Sequence, residues 1–275
     1  MNRLYCIAGI CFEVCLSEDV LLVDGILSDY VCVNQKADVV LDFNVVDELS
    51  EPVGTCLFDD SAKKVYSFED NLISYYGSTM RVFACGSVNH VEVKASSIPN
   101  GITSRLVVKA MDLEHLLVQK SGVLFHSTYV RVGDEAILFT APSGTGKSTQ
   151  ADLWVKHRGA ELLNGDRSCI MIEDGHVVVH GVPYSGSSDV HLNRSLPLKA
   201  IVYLAQAPKT TITRLTGAKA FRAIWEGCSF PLWNKTDVEL CTETVSVLAG
   251  HVPVYYMPCT PDESAVVALE SVLGE

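Results

Sequence analysis

Apolar residues in the first part of the chain fall into short runs of strand length. These are Leu4–Ile10, Val20–Val23, Tyr30–Asn34, Val39–Phe43, Arg81–Cys85, His90–Val93 and Leu106–Lys109. Turn-forming groups punctuate them, among them Asp24-Gly25, Pro52-Val53-Gly54 and Pro99-Asn100-Gly101. Apolar runs of this kind, rich in β-branched and aromatic residues and bounded by Gly, Pro and Asn, predict paired strands. Met111–Gln119 has helical spacing instead. Residues 1–110 are therefore predicted to form a β-rich, mostly antiparallel N-terminal module.

From residue 111 onward strands alternate with helices. Val123–Val132 and Glu135–Thr140 predict two strands joined at Gly133-Asp134, and Lys147–Arg158 predicts a helix stopped by Gly159. A strand over Glu161–Asn164 is followed by Cys169–Ile172 and Val177–His180, which flank the hairpin pair Asp174-Gly175. Ala200–Ala205 and Val252–Tyr256 read as further strands. A helix from Thr216 carries Phe221, Ile224 and Trp225 on one face, and Gly227 ends it. Thr236-x-x-Glu239 has capping-box spacing ahead of Val238, Cys241, Val245 and Leu248. Thr260-Pro261-Asp262-Glu263 offers an N-cap, a proline at N1 and an acid at N3 for a terminal helix. Residues 111–275 are thus predicted as an α/β domain with a mixed sheet.

Composition narrows the function classes. The 275 residues are 48% hydrophobic and 20% charged, the balance of a folded globular chain. A net charge of −12 and a pI near 5.1 exclude a nucleic-acid or anionic-membrane surface as the main partner. No apolar run approaches the ~20 residues that span a bilayer. Arg3 followed by Leu4–Leu16 faintly resembles a signal peptide, but Glu13 interrupts it and a strand is the better reading, so a cytoplasmic protein is expected. The ten cysteines include no Cys-x-x-Cys pair. Cys6, Cys11 and Cys15 lack paired zinc spacing, and reduced, mostly buried thiols are expected.

The candidate chemistry lies at residues 141–149, Ala-Pro-Ser-Gly-Thr-Gly-Lys-Ser-Thr, between the apolar run Ala136–Thr140 and a helix. The pattern Gly-x-x-x-x-Gly-Lys-[Ser/Thr] is met with Ala141 at the first glycine position. Gly144 and Gly146 let the backbone wrap a phosphate with its N–H groups, and the helix start adds its positive dipole end. Ser143, Gly144, Thr145, Gly146, Lys147, Ser148 and Thr149 are accordingly the candidate nucleotide-binding residues. Lys147 is placed to reach the β- and γ-phosphates and Ser148 to offer its hydroxyl to Mg²⁺.

A magnesium nucleotide calls for a carboxylate, and Asp166 stands at a strand end nineteen positions after Lys147. It is either the metal or base carboxylate or a turn aspartate capping nearby backbone; Arg167 is either a phosphoryl contact or a turn residue. Taken together, His126 in Leu124-Phe125-His126-Ser127, the loop Ser143–Ser148 and Gly165-Asp166 resemble the catalytic domain of HPr kinase/phosphorylase, in the group that includes phosphoenolpyruvate carboxykinase. The resemblance spans about 120–205 and is most specific between 123 and 167. It implies a phosphoenolpyruvate carboxykinase-like P-loop domain, ATP and Mg²⁺ as cofactors, and transfer of a phosphoryl group to a hydroxyl. It also implies catalytic roles for Asp166, Lys147 and His126, metal binding by Ser148 and Asp166, and homo-oligomer formation.

One departure stands out: Gly165 replaces the first member of the family's Asp-Asp pair. The chain also resembles small bacterial members of the group associated with peptide maturation, and it is too short for a full carboxykinase. The acceptor implied is a hydroxyl-bearing protein, peptide or small molecule, with a nucleotide-binding module lacking efficient transfer as the alternative. His126 orients a phosphate or hydroxyl, or is satisfied by backbone. His180 and His191 flank the Gly- and Ser-rich stretch 181–188, read as a surface or substrate loop, and Arg194 either approaches the nucleotide or is solvated. Neither His-Glu-x-x-His nor Gly-x-Ser-x-Gly occurs.

Overall fold

Two-residue glycine turns and alternating burial shape the first part of the chain. The computed structural model describes residues 2–23, 25–184, 186 and 188–274. Of the stretches read from sequence, Asp24 and the loop residues Ser185 and Ser187 lie outside the described residues. The chain divides into two units, Met1–Leu113 and Glu114–Glu275.

In chain order the first unit contains β1 (Asn2–Ile7), β2 (Ile10–Cys15), β3 (Leu22–Val23), β4 (Val39–Val46), β5 (Thr55–Asp59), β6 (Lys64–Phe68), β7 (Asn71–Tyr76), β8 (Met80–Cys85), β9 (Val88–Lys94), β10 (Ile102–Thr103) and α1 (Ser104–Ala110). Its described residues form an eight-stranded sheet in the order β1-β2-β4-β9-β8-β7-β6-β5. Most pairs are antiparallel, but β2–β4 and β4–β9 run parallel. Ala8 and Gly9 join β1 to β2 with φ of 49° and 74°, the left-handed pair that a tight hairpin turn needs.

Two expectations fail in this unit, and three strands were not expected. Leu106–Lys109 lies in helix α1, with Leu106, Val107, Val108 and Ala110 buried; so short an apolar run has no readable period. Tyr30–Asn34 is not a strand: Gly25–Tyr30 is a 3₁₀ turn and Val31 makes an isolated bridge to Tyr5. Strands β5–β7 escape the hydrophobic pattern; β5 is almost wholly exposed.

The second unit contains α2 (Leu113–Gln119, beginning one residue before the division), β11 (Gly122–His126), β12 (Thr128–Val132), β13 (Glu135–Thr140), α3 (Lys147–Arg158), β14 (Glu161–Asn164), β15 (Arg167–Glu173), β16 (His176–Gly181), β17 (Ser195–Gln206), β18 (Thr213–Leu215), α4 (Ala218–Trp225), β19 (Cys228–Ser229), α5 (Lys235–His251), β20 (Val254–Cys259) and α6 (Glu263–Leu273). The main sheet is mixed and runs β14-β12-β13-β17-β16-β15-β11-β19, with β20 and β18 continuing beside β17. The start of β17 pairs antiparallel with β16, while its later residues run parallel to β13 and β20.

Strand β13 is buried on both faces, as a nearly continuous apolar run requires. Ala136 and Leu138 join one core with Ile224, Val245 and Leu248 of α4 and α5. Ile137 and Phe139 join the other with Trp154 of α3 and Leu269 of α6. Alternate residues of one strand thus hold helices on opposite faces. The predicted single strand Val123–Val132 breaks at buried Ser127: β11 pairs with β15, β12 with β13 and β14.

Two helix starts are displaced from their predicted caps. Asn234, not Thr236, caps α5, its side chain accepting from the N–H groups of Thr236 and Asp237. Asp262, not Thr260, caps α6 by accepting from Ser264. Asp237 in the first turn of α5 is itself buried, bonded to His115 Nδ1 at 2.7 Å and Gln119 Nε2 at 2.9 Å of α2. The cysteines also depart from expectation. Cys6 and Cys11 form a disulfide, because the hairpin register sets them opposite each other. Of the rest, Cys169, Cys241 and Cys259 are buried, whereas Cys56 and Cys85 are exposed. No described helix is long and apolar enough to cross a membrane.

The cap assignment has a measurable consequence. Asn234→Ala should cost about 1 kcal/mol of stability in urea unfolding, whereas Thr236→Ala should leave the midpoint within error.

Candidate functional site

The buried strand β13 delivers the chain into an exposed loop and then into α3. Gly144 and Gly146 have φ of 78° and 118°, and an added Cβ at either meets nothing within 4 Å. Glycine is demanded here by backbone conformation rather than by lack of room, which is how a loop turns successive N–H groups inward. Gly146 is also the N-cap residue of α3, with no side-chain cap bond, so no side chain occupies the positive end of the helix. Ser143, Gly144, Ser148 and Thr149 are exposed, and Thr145, Gly146 and Lys147 are half-buried. Lys147 Nζ folds back over the loop and donates to the Ala141 carbonyl at 3.0 Å.

Beside the loop is a cleft of about 370 Å³, lined among others by Gly144, Thr149, Gln150, Gln206 and Thr260. It sits where the parallel strands β13, β17 and β20 end, the carboxyl edge at which α/β sheets gather ligands. Gln206, the last residue of β17, directs Nε2 toward the carbonyls of Gly144 and Thr145 at 3.4 Å each. His126 and Asp166 do not line this cleft.

His126 and Asp166 meet where the sheet parts at Ser127. Strand β14 lies beyond β12 from β13 and ends at the same edge, so Asn164 stands near the foot of the loop. The Asn164 side chain accepts from the N–H groups of Asp166 and Arg167 at 2.9 and 3.0 Å. It donates to the carbonyls of Val182 and Tyr184 at 3.1 and 2.9 Å. The Asp166 carbonyl accepts from Ser127 N–H, so the residue is held from both sides. Asp166 Oδ1 lies 3.9 Å from His126 Nε2, and Oδ2 lies 3.7 Å from Arg167 Nε. Arg167 donates to Ser229 Oγ at 2.6 Å and lies over the Tyr184 ring.

Electrostatics tie Lys147 into the same group. Burial pushes the His126 imidazolium below its ordinary value, Lys147 and Arg167 push it the same way, and Asp166 opposes them. The imidazole is therefore neutral near pH 7. Burial likewise lowers the Lys147 ammonium, with Asp166 again pulling upward.

Gly165 has a steric cause. A Cβ there would overlap Ser188 Oγ and come within 2.9 Å of Ser188 Cβ, while a Cβ on Gly186 would lie 3.0 Å from Asp166 Cβ. Gly186 and Ser188 thus lie directly against Asp166 and Gly165. Asn164 also holds the Val182 and Tyr184 carbonyls and bridges to His191, and Leu192 N–H donates to the Leu163 carbonyl.

Of the residues singled out from sequence, His126, Lys147 and Asp166 are gathered with Arg167, and Ser143–Thr149 form one continuous loop. His180 is not part of this group; it bonds Ser195 Oγ at 2.8 Å and faces Glu173 at 3.0 Å. Arg194 is exposed at the β16–β17 junction, where its carbonyl accepts from Gly181 N–H. Asn164, Gln206 and Tyr184 carry no motif, and only the turn triplet Asn164-Gly165-Asp166 hinted at the first.

No family model and no curated protein sequence matches the chain. Among solved structures it is similar to the Hpr(Ser) kinase/phosphatase from Coxiella burnetii, at 11% identity and a TM-score of 0.34, over 55% of this chain and 88% of that one.

Two outcomes are expected. By NMR titration His126 should have its midpoint below the ordinary 6.5, shifting further down in Asp166→Asn and upward in Lys147→Ala. Gly165→Ala should destabilise the protein by about 1–3 kcal/mol in thermal or urea unfolding, as overpacking does.

Proposed function

We propose that the second unit is a phosphoenolpyruvate carboxykinase-like P-loop domain that binds ATP with Mg²⁺ and transfers the terminal phosphoryl group to a serine-type hydroxyl. The acceptor is a protein, a peptide or a small molecule. The observation that carries this reading is the convergence of an uncapped α3 start, two glycines at positive φ, Lys147, and the His126–Asp166 pair on one short edge of the sheet.

The residues fit the groups they would hold. Loop amides, a lysine and a free helix start suit a polyphosphate, and the hard oxygens of Ser148 and Asp166 suit Mg²⁺. When bound, the magnesium nucleotide supplies the transferable phosphoryl group and a divalent charge that offsets its negative oxygens. Lys147 would exchange the Ala141 carbonyl for a phosphate oxygen, trading a neutral acceptor for an anionic one. Asp166 would accept the proton of the attacking hydroxyl at a carboxylate oxygen, and neutral His126 would orient that hydroxyl. Positioning and charge stabilisation then supply most of the rate.

A second reading has its own support. Residue 165 is a glycine packed against the Ser188 side chain and carries no second carboxylate, so a site with Asp166 alone must divide metal binding and proton acceptance over one side chain. This favours a nucleotide-binding module without efficient transfer.

Calorimetry with Mg-ATP and a transfer assay with labelled nucleotide separate these readings. Lys147→Ala should weaken nucleotide binding roughly 10–100-fold, the worth of a charge-assisted hydrogen bond. Asp166→Asn should retain binding while transfer falls by about 10²-fold or more. Nucleotide binding by the wild type without transfer to any hydroxyl acceptor selects the second reading; unchanged binding in Lys147→Ala overturns both.

A further inference from the structure

In the first unit the sulfur of Cys32 comes together with those of the hairpin pair Cys6 and Cys11. Cys6 and Cys11 are cross-strand partners in the β1–β2 hairpin, with Cα atoms 4.2 Å apart, and Cys32 Sγ lies 3.2 Å from Cys6 Sγ. All three sulfurs lie within 4.8 Å of one another. Cys11 is buried, and Cys6 and Cys32 are half-buried, so the cluster is open to solvent on one side.

The positions of the three cysteines do not depend on the sulfur–sulfur bond. The register Tyr5–Phe12, Cys6–Cys11 and Ile7–Ile10 is set by the sheet and closed at Ala8-Gly9. Cys11 N–H donates to Asp38 Oδ2, and Asp38 N–H donates to the Cys11 carbonyl, each at 2.8 Å. The segment bearing Cys32 is laid along β1 by the Tyr5–Val31 bridge and by the bond from Cys32 N–H to the Leu4 carbonyl at 2.9 Å. Reduction therefore leaves three thiols on a fixed backbone.

From this placement we infer that the reduced first unit binds one Cu(I) ion through Cys6, Cys11 and Cys32. Sulfurs about 2.3 Å from a metal in a trigonal plane lie ~4.0 Å apart, a spacing that this cluster reaches with small rotamer changes. Among the described residues no further His, Cys, Asp or Glu completes the group, so it lacks the fourth ligand of a structural zinc site. Calcium and magnesium require oxygen donors. Soft thiolates at low coordination number select Cu(I).

The chemistry balances with a thiol reductant as the added reactant. Two electrons from two thiol equivalents break the Cys6–Cys11 bond, giving two cysteine thiols and the reductant's disulfide. Cu(I) then forms three Cu–S bonds and displaces three thiol protons, with no change in its oxidation state. The oxidised and metal-bound forms exclude each other, since both use the Cys6 and Cys11 sulfurs.

The test titrates the full chain, reduced with dithiothreitol and desalted anaerobically, with Cu(I) against the chromogenic chelator bathocuproine disulfonate. One tight equivalent is expected, and Cys32→Ser, Cys6→Ser and Cys11→Ser should each abolish it. Cys56→Ser, which removes an exposed thiol elsewhere, should retain it, and the untreated disulfide form should lack it. Circular dichroism identifies any serine variant that has unfolded, and the two other ligand variants then carry the comparison. Loss of the tight equivalent in Cys56→Ser, its survival in all three ligand variants, or stoichiometric Zn(II) uptake without tight Cu(I) would overturn the assignment.

Discussion

One buried amide holds the candidate site together. At the end of β14 the sheet opens, β15 leaves for a different partner, and several main-chain groups are left facing inward. Each of them unpaired would cost roughly 1–3 kcal/mol. Asn164 meets four of them with its two donors and its acceptor oxygen, joining the Asp166–Arg167 turn to the carbonyls of Val182 and Tyr184. An aspartate could not donate to those carbonyls, and a leucine would satisfy none. The position of Asp166 relative to His126 and the placement of Val182 and Tyr184 beside the turn follow from this side chain.

The same edge is determined on the loop side by two-faced burial. Because β13 and β17 carry helices on both faces, their ends are placed by two cores at once, and the loop between Thr140 and Lys147 inherits that precision. Gln206 then braces the loop from the end of β17. An exposed loop is thus anchored at rigid points, the usual way a fold makes an exposed backbone geometrically exact enough for ligands.

Legibility in the sequence tracked how local the cause was. The Asp174-Gly175 turn was visible because both φ values are positive, 49° and 80°, and only certain residues tolerate that. The turns at Gly144 and Gly146 were visible for the same reason, with φ of 78° and 118°. What failed was decided at a distance. Leu106–Lys109 has no period of its own, and its state depends on what buries it. The break at Ser127 follows from the different partners that β11 and β12 take, and the caps of α5 and α6 moved by two residues to fit the turns before them. Nothing near Cys6 in sequence points to Cys32; the adjacency exists only once Val31 bridges Tyr5.

The crowding of Gly165 by Ser188 makes the two positions epistatic. A side chain at 165 is admitted only when Ser188 turns its Oγ away and its Cβ shifts, or when a smaller residue stands at 188, whatever benefit that side chain would bring to chemistry. A change at 188 that clears the space must therefore come before, or together with, a larger residue at 165, so the order of substitutions at the two positions is constrained by sterics.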